Sequence, residues 1–270
     1  MKNLKLIGLV ALIAIIIFSC KREIVPETKK YPGDVELFNH SRDAEIATKK
    51  PPKPPKGGGG NPHNPPDTTT NPPVDTAEVC IYLDYDGEIL SGTLWNINYG
   101  SGNTLVFSPS GLSDTQKQEI RVRVSADYAK EKGFVKRIKI TDSLSVFNSY
   151  PKSRRMQVII TASHEWYPES AGGVAYINSY TWGDGTPCFV FSKAYDYRAD
   201  YIAHACSHEP GHMTGCRHQS VYDSNCNLVN NYRVGWIMGQ YGGYPAIFGI
   251  GTSICCTCIQ DDIAVINSNL

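Results

Sequence analysis

The chain has 270 residues, 41% of them hydrophobic, with 26 Lys plus Arg against 26 Asp plus Glu. Its zero formal net charge, with no basic stripe, gives no electrostatic reason to expect a nucleic-acid partner. Nine cysteines make the redox compartment the first question that composition raises.

The N-terminus answers it. Lys2 and Lys5 precede an apolar run, Leu6 to Phe18, which is too short to span a bilayer comfortably and reads as a secretory signal. Ile17-Phe18-Ser19-Cys20 resembles a bacterial lipobox, so residues 1–20 are expected to be a lipoprotein signal peptide and Cys20 the lipidated first residue. The chain is then an exported lipoprotein of a bacterial cell envelope, held to the membrane by that lipid at the outer membrane or cell surface. A signal cut elsewhere would instead release the protein.

Residues 21–76 read as a tether. Pro51-Pro52-Lys53-Pro54-Pro55-Lys56 favours extended polyproline geometry, Gly57 to Gly60 is a hinge, and Asn61 to Asp75 holds almost no large apolar residue. A propeptide in which His40 or Asp43 enforces latency is the alternative, although nothing in the sequence selects either residue.

Residues 77–270 suit one domain, expected to be catalytic. Val79 to Tyr85 and Thr104 to Phe107 are rich in strand formers. Ser113 and Gln116 form a capping box, and the helix that follows carries Ile120, Val124 and Tyr128 on one face and ends near Gly133. Val135 to Thr141 alternates like a half-buried strand, and Met156 to Thr161 is continuous enough to be a central one. Gly173 to Ser179 and Cys188 to Ser192 add two more, and a helix is expected from about Asp196 through residue 212. The chain beyond His218 is turn-rich until Gln260 to Ile266, which reads as a closing helix. Cys80, Cys188, Cys206, Cys216, Cys226, Cys255, Cys256 and Cys258 form an even set, expected in an exported protein to make disulfides of unassigned connectivity. A thiolate metal cluster at Cys255-Cys256-Thr257-Cys258 is the weaker reading.

The chemistry lies in His208-Glu209-Pro210-Gly211-His212-Met213-Thr214-Gly215-Cys216-Arg217-His218, an H-E-x-x-H-x-x-G-x-x-H pattern. Residues four apart share a helix face, so His208 and His212 can aim two imidazoles at one point. Gly215 can adopt a backbone conformation that a Cβ disfavours, letting the chain turn and bring His218 back as a third ligand. Three protein ligands and an open fourth position suit one catalytic Zn²⁺, with Glu209 beside the first ligand placed to reach the metal's water as general base.

This motif resembles the zinc-binding consensus of the metzincin metallopeptidases, most closely the reprolysin-like bacterial ones. Gly235-Trp236-Ile237-Met238-Gly239 resembles their Met-turn, with Met238 twenty residues past His218. The resemblance runs from about Glu78 to the C-terminus. It implies an α/β fold (α+β in its layering): a twisted mixed sheet with a backing helix and a zinc-site helix, then a small C-terminal subdomain with the Met-turn and a closing helix. It also implies a zinc endopeptidase that hydrolyses peptide bonds in proteins, with the substrate paired along an edge strand. Gly173, Val174, Ala175 and Tyr176 are the candidates for that strand. Tyr241, three residues past Met238, departs from the two-residue spacing of a transition-state Tyr in some metzincins and is expected to pack.

Three features depart from the pattern. Pro210 removes an amide donor and crowds residue 206, costing about 3 kcal/mol in a regular helix, and a kink there could misplace Glu209 or open the cleft. Gln219 stands where reprolysins carry Asp, and Cys206 and Cys216 flank the ligands, where a disulfide could brace the site. His204 reads as a supporting or surface residue and His164-Glu165 as incidental. Pro210 makes a catalytically inactive, peptide- or protein-binding surface lipoprotein the alternative function. Oligomeric state, cleavage preference and the membrane leaflet are not legible in these residues.

Overall fold

Strands buried on both faces need apolar runs, and the chain supplies them as Val79 to Leu83 within Val79–Asp84 and Val158 to Ile160 within Arg155–Thr161. The computed structural model describes residues 77–168, 171–230, 235–239 and 245–270. The expected signal segment with Cys20, the tether with His40 and Asp43, and Tyr241 lie outside these residues.

The two strands are β1 (Val79–Asp84) and β5 (Arg155–Thr161). Between them come β2 (Glu88–Leu90) and β3 (Leu105–Phe107), an antiparallel pair flanking α1 (Leu94–Tyr99), then α2 (Asp114–Asp127), β4 (Ile138–Thr141) and α3 (Leu144–Asn148). After β5 come β6 (Gly173–Val174), β7 (Cys188–Phe191) and α4 (Ala199–Met213). Five strands make one mixed sheet in the order β4-β1-β5-β7-β6, with β5 at its centre as expected. Its pairings are parallel except the last, where β6 runs antiparallel to β7 at the edge.

Side-chain alternation divides the core in two. Val158 and Ile160 of β5, with Cys188 and Val190 of β7, face a cluster that includes Ile120 and Val124 of α2 and Ile202, Ala203 and Cys206 of α4. Ile159, Phe189 and Phe191 point the other way, into an aromatic cluster with Trp95 of α1, Phe107 of β3 and Tyr176. Trp95 is fully buried and donates its indole N–H to the Pro187 carbonyl at 2.7 Å, satisfying the polar atom that burial would otherwise strand.

The Ser113 box forms as expected: the Ser113 hydroxyl accepts from Gln116 N, and Gln116 Oε1 accepts from Ser113 N. The α2 helix ends at Asp127, and a single 3₁₀ turn, Lys130–Lys132, leads to Gly133 at φ 109°.

Several expected elements are shorter than their sequence signals. The fourth strand starts at Ile138 rather than Val135. The α4 helix starts at Ala199, because Asp196 and Tyr197 are left-handed at φ 50° and 58° and cannot belong to a right-handed helix. The sixth strand ends at Val174 instead of Ser179. Ala175 lies outside it, and Tyr176 turns its ring into the aromatic cluster, 4.1 Å from Trp95 by centroid.

The remainder is built from β8 (Val221–Tyr222) with β9 (Leu228–Asn230), β10 (Ile250–Thr252) with β11 (Ile259–Asp261), and α5 (Asp262–Asn269). Gln260 and Asp261 belong to β11, so the closing helix begins two residues later than its apolar run suggests. Cys226 pairs with Cys256 and Cys255 with Cys258, which removes the thiolate cluster as a metal site. Cys80, Cys188, Cys206 and Cys216 are buried thiols, so neither Cys206 nor Cys216 braces the site through a disulfide. Cys206 packs inward from α4 against the sheet, and the Cys216 thiol meets the Asp262 carbonyl at 3.5 Å. Among the described residues no helix is long and apolar enough to cross a membrane.

Candidate metal centre

The α4 helix is buried along almost its whole length, including His208, Glu209, Pro210, Gly211 and His212. Pro210 does not break it. The helix continues to Met213, and Thr214 N donates to the Pro210 carbonyl at 3.0 Å. Proline removes the donor that the Cys206 carbonyl would receive in a regular helix. The next carbonyl, that of Ser207, takes a hydrogen bond from the Tyr128 hydroxyl at 2.7 Å. With Pro210 in place, both helical histidines still converge on His218.

Gly215 ends the helix as its position in the motif requires. Its φ is 99°, a left-handed value, and Cys216 N reaches back to the Gly211 carbonyl at 2.9 Å. The reversal brings His218 Nε2 to 3.0 Å from His208 Nε2 and 3.1 Å from His212 Nε2. His208 and His212 are buried and His218 is half-buried. Among the described residues no other group of three His, Cys, Asp or Glu brings its donor atoms within 4.8 Å of one another.

The Nδ1 partners of the two helical rings fix which nitrogens face the centre. His208 Nδ1 lies 2.5 Å from the Ile237 carbonyl and His212 Nδ1 lies 2.8 Å from the Cys216 carbonyl. A carbonyl accepts only, so each Nδ1 carries the proton and each Nε2 of these neutral rings is left with a bare lone pair. Burial above all, then the neighbouring imidazoles, holds His208 well below the usual histidine range, and burial and His212 do the same for His218. The lone pairs of His208 and His212 face one point, the arrangement that two nitrogen ligands of a shared cation require. Nitrogens about 2 Å from one zinc in tetrahedral array would be roughly 3.3 Å apart, close to the separations observed. The triad could hold a metal ion, and the carbonyls on Nδ1 supply the outer partners that orient metal-binding imidazoles.

Met238 is fully buried beneath α4. A methyl group on Gly211 would stand 2.5 Å from its sulfur, so the glycine inside the motif lets the turn Trp236–Gly239 press against the helix. Gly239 N donates to the Trp236 carbonyl at 3.0 Å and Gln219 N to the Met238 carbonyl at 2.7 Å, tying that turn to the strap that carries His218.

Glu209 is buried, and its carboxylate lies against the edge strand: a Cβ on Gly173 would be 2.5 Å from Oε1. Of the four residues expected to line a substrate, Gly173 and Val174 form the edge strand, whereas the side chains of Val174, Ala175 and Tyr176 are buried. Gly173 is thus where the strand and the carboxylate meet. His204 is buried with its ring stacked 6.2 Å from His208 by centroid, a supporting rather than a surface position. His164 lies against Phe191, at 5.6 Å between centroids, and takes no part in the triad.

Sequence reasoning missed Gln260 and Asp262. Gln260 grips the backbone of Arg217, and the fully buried Asp262 carboxylate accepts from both Gln219 and Gln260. The only local signal was three polar residues, Gln260, Asp261 and Asp262, at the head of an apolar run. No protein-family model matches the chain, and no curated protein matches it.

Proposed function

We propose that the protein is a zinc endopeptidase of metzincin type, anchored to a bacterial envelope through a lipid on Cys20. One observation carries this reading: three imidazole nitrogens converge at 3.0 and 3.1 Å, and two of them are fixed as lone-pair donors by carbonyls on the opposite ring nitrogens. The buried Met238 turn beneath the helix, the antiparallel edge strand and the closing helix α5 support the family reading.

Bound zinc would supply Lewis acidity to the scissile carbonyl and make water acidic enough to attack at neutral pH. His208, His212 and His218 would hold the ion. Glu209 takes the proton of the attacking water and delivers it to the departing amine. The edge strand at Gly173–Val174 is where an extended peptide would pair, and Gly173, lacking a Cβ, lets the Glu209 carboxylate approach that strand. A protein or peptide substrate fits this arrangement because strand pairing reads backbone rather than one side chain.

A quenched-peptide or casein assay on wild type and Glu209→Ala, with and without chelator, tests this. Wild type should cleave and lose activity with chelator. Loss of a general base should lower the Glu209→Ala rate by roughly 10²–10⁴-fold while zinc stoichiometry stays at that of wild type. Equal rates in the two proteins, or no cleavage by zinc-loaded wild type, would overturn the proposal.

A further inference from the structure

Two of the three imidazoles ride on a buried helix, whose backbone hydrogen bonds already fix their spacing. His218 does not. It sits on a strap, Arg217–Gln219, outside any helix or named strand, so something else must set its place.

The strap is held from both sides by groups that converge on one carboxylate. On the near side, Gln260 makes a two-point grip on Arg217: its Oε1 accepts from Arg217 N at 2.9 Å and its Nε2 donates to the Arg217 carbonyl at 2.7 Å. The same Nε2 donates to Asp262 Oδ1 at 2.8 Å. On the far side, Gln219 Nε2 donates to Asp262 Oδ1 at 2.9 Å and to the Gly249 carbonyl at 3.0 Å. Asp262 is itself immobilised, with Oδ2 accepting from Gly249 N at 3.0 Å and its own N–H donating to the Gly249 carbonyl at 3.0 Å.

Gln219, Gln260 and Asp262 are all buried, Gln219 and Asp262 completely. A buried carboxylate is costly unless its lone pairs are met. Merely capping α5 does not require it, because Asp261 already does that through Ala264 N at 3.0 Å. What Asp262 adds is one rigid point to which the residues before and after the third ligand are both attached.

We propose that Asp262 is a positioning residue for the metal: through Gln260 and Gln219 it fixes the backbone on both sides of His218 and so sets where the third ligand nitrogen stands. This rests on the triad being a metal site, but not on the protein cleaving peptides. Groups that orient metal ligands typically alter affinity by roughly 10–100-fold when removed, and that is the effect expected here.

The test measures zinc affinity by chelator competition and records the visible absorption of the cobalt(II)-substituted protein, without any peptide. The proteins are wild type, Asp262→Ala, Gln260→Met and Asp261→Ala, each examined well below its thermal midpoint. Both Asp262→Ala and Gln260→Met should bind zinc roughly 10–100-fold more weakly, with a changed cobalt spectrum. Asp261→Ala, which loosens α5 but leaves the strap's bonds alone, should keep the affinity and spectrum of wild type. Should Asp262→Ala fail to fold, Gln260→Met decides alone. Unchanged affinity and spectrum in a folded Gln260→Met, or an equal loss in Asp261→Ala, would overturn the proposal. Wild type that binds no zinc would overturn the metal site and this inference together, whereas wild type that binds zinc without cutting peptides leaves the inference standing.

Discussion

The chain before His218 and the chain after it use their cysteines differently. Cys80, Cys188, Cys206 and Cys216 are buried thiols packed among apolar side chains, whereas Cys226, Cys255, Cys256 and Cys258 are joined in two disulfides. The first part has a five-stranded sheet with clusters on both faces; the second has two ribbons and one short helix. Leu228, Val229, Ile250, Ile254 and Ile259 are more than half exposed in the second part. A segment that cannot bury its own apolar residues needs other restraints, and here these are covalent links and side-chain hydrogen bonds. The imidazole triad straddles the divide: His208 and His212 belong to the part held by burial, and His218 stands where the part held by links begins.

The largest effect that could break this contrast comes from the long disulfide. Cys226–Cys256 closes a span of 30 residues, for which chain-entropy arguments give roughly 3–4 kcal/mol. Cys226→Ser with Cys256→Ser should lower stability by about that amount. Amide hydrogen exchange should rise between residues 219 and 261 and leave β1 and β5 as protected as in wild type. Exchange rising equally in the central sheet would mean that the two parts unfold as one, and the contrast would fail.

Next in size is a pH effect confined to the second part. Burial raises the Asp262 carboxyl from the ordinary value of 3.8 to about 6, partly opposed by its bonds from Gly249, Gln219 and Gln260. The folded protein therefore holds a proton that the unfolded chain has released between those two values. Its contribution to stability is fully present below pH 3.8 and is lost as pH rises through about 6. The displacement corresponds to about 3 kcal/mol at most. Unfolding of chelated protein, wild type against Asp262→Asn, isolates it, because other groups titrate in both. Wild type should gain on the variant as pH falls from 6.5 to 4, and a constant difference would show an ordinary carboxyl.

The same divide separates what was legible in the sequence from what was not. His208 and His212 are read from helical spacing, Glu209 from its place beside the first of them in the motif, and Gly215 from the need for a left-handed turn, because those constraints act within ten residues. The strands β1 and β5 are legible because a doubly buried strand needs an apolar run. Short elements such as α1, α3 and β2 carry too few residues for a period to register, and they are stabilised by tertiary contacts such as Trp95 to Pro187. The over-long strand at Gly173 has the same cause: Tyr176 has strand propensity, but the aromatic cluster claims its ring. Cysteine pairing and the Gln219–Gln260–Asp262 hub join residues up to 43 apart, and no local pattern encodes them. Pro210 misled for the opposite reason. Its local penalty is real, yet the packing of α4 against α2 and the sheet outweighs it.

The smallest effect tests a point where the two parts touch beneath the triad. Gly211 belongs to α4 and Met238 to the later part, and a Cβ at 211 would meet the Met238 sulfur at 2.5 Å and Phe248 Cε1 at 3.5 Å. Alanine ordinarily favours a helix over glycine by about 1 kcal/mol, so overpacking must exceed that gain before Gly211→Ala destabilises. Overpacked cores lose about 1–3 kcal/mol, leaving a net loss of up to about 2 kcal/mol. Met238→Ala should cost about 2–5 kcal/mol alone through the cavity it leaves. In the double variant the new methyl group fills part of that cavity and meets no sulfur, so the losses should fall short of additive by about 1 kcal/mol or more. Chemical denaturation of the four proteins gives the coupling directly. Strict additivity would mean that Met238 does not bear on Gly211, leaving the Ile237 carbonyl on His208 and the His218 strap as the later part's support for the triad.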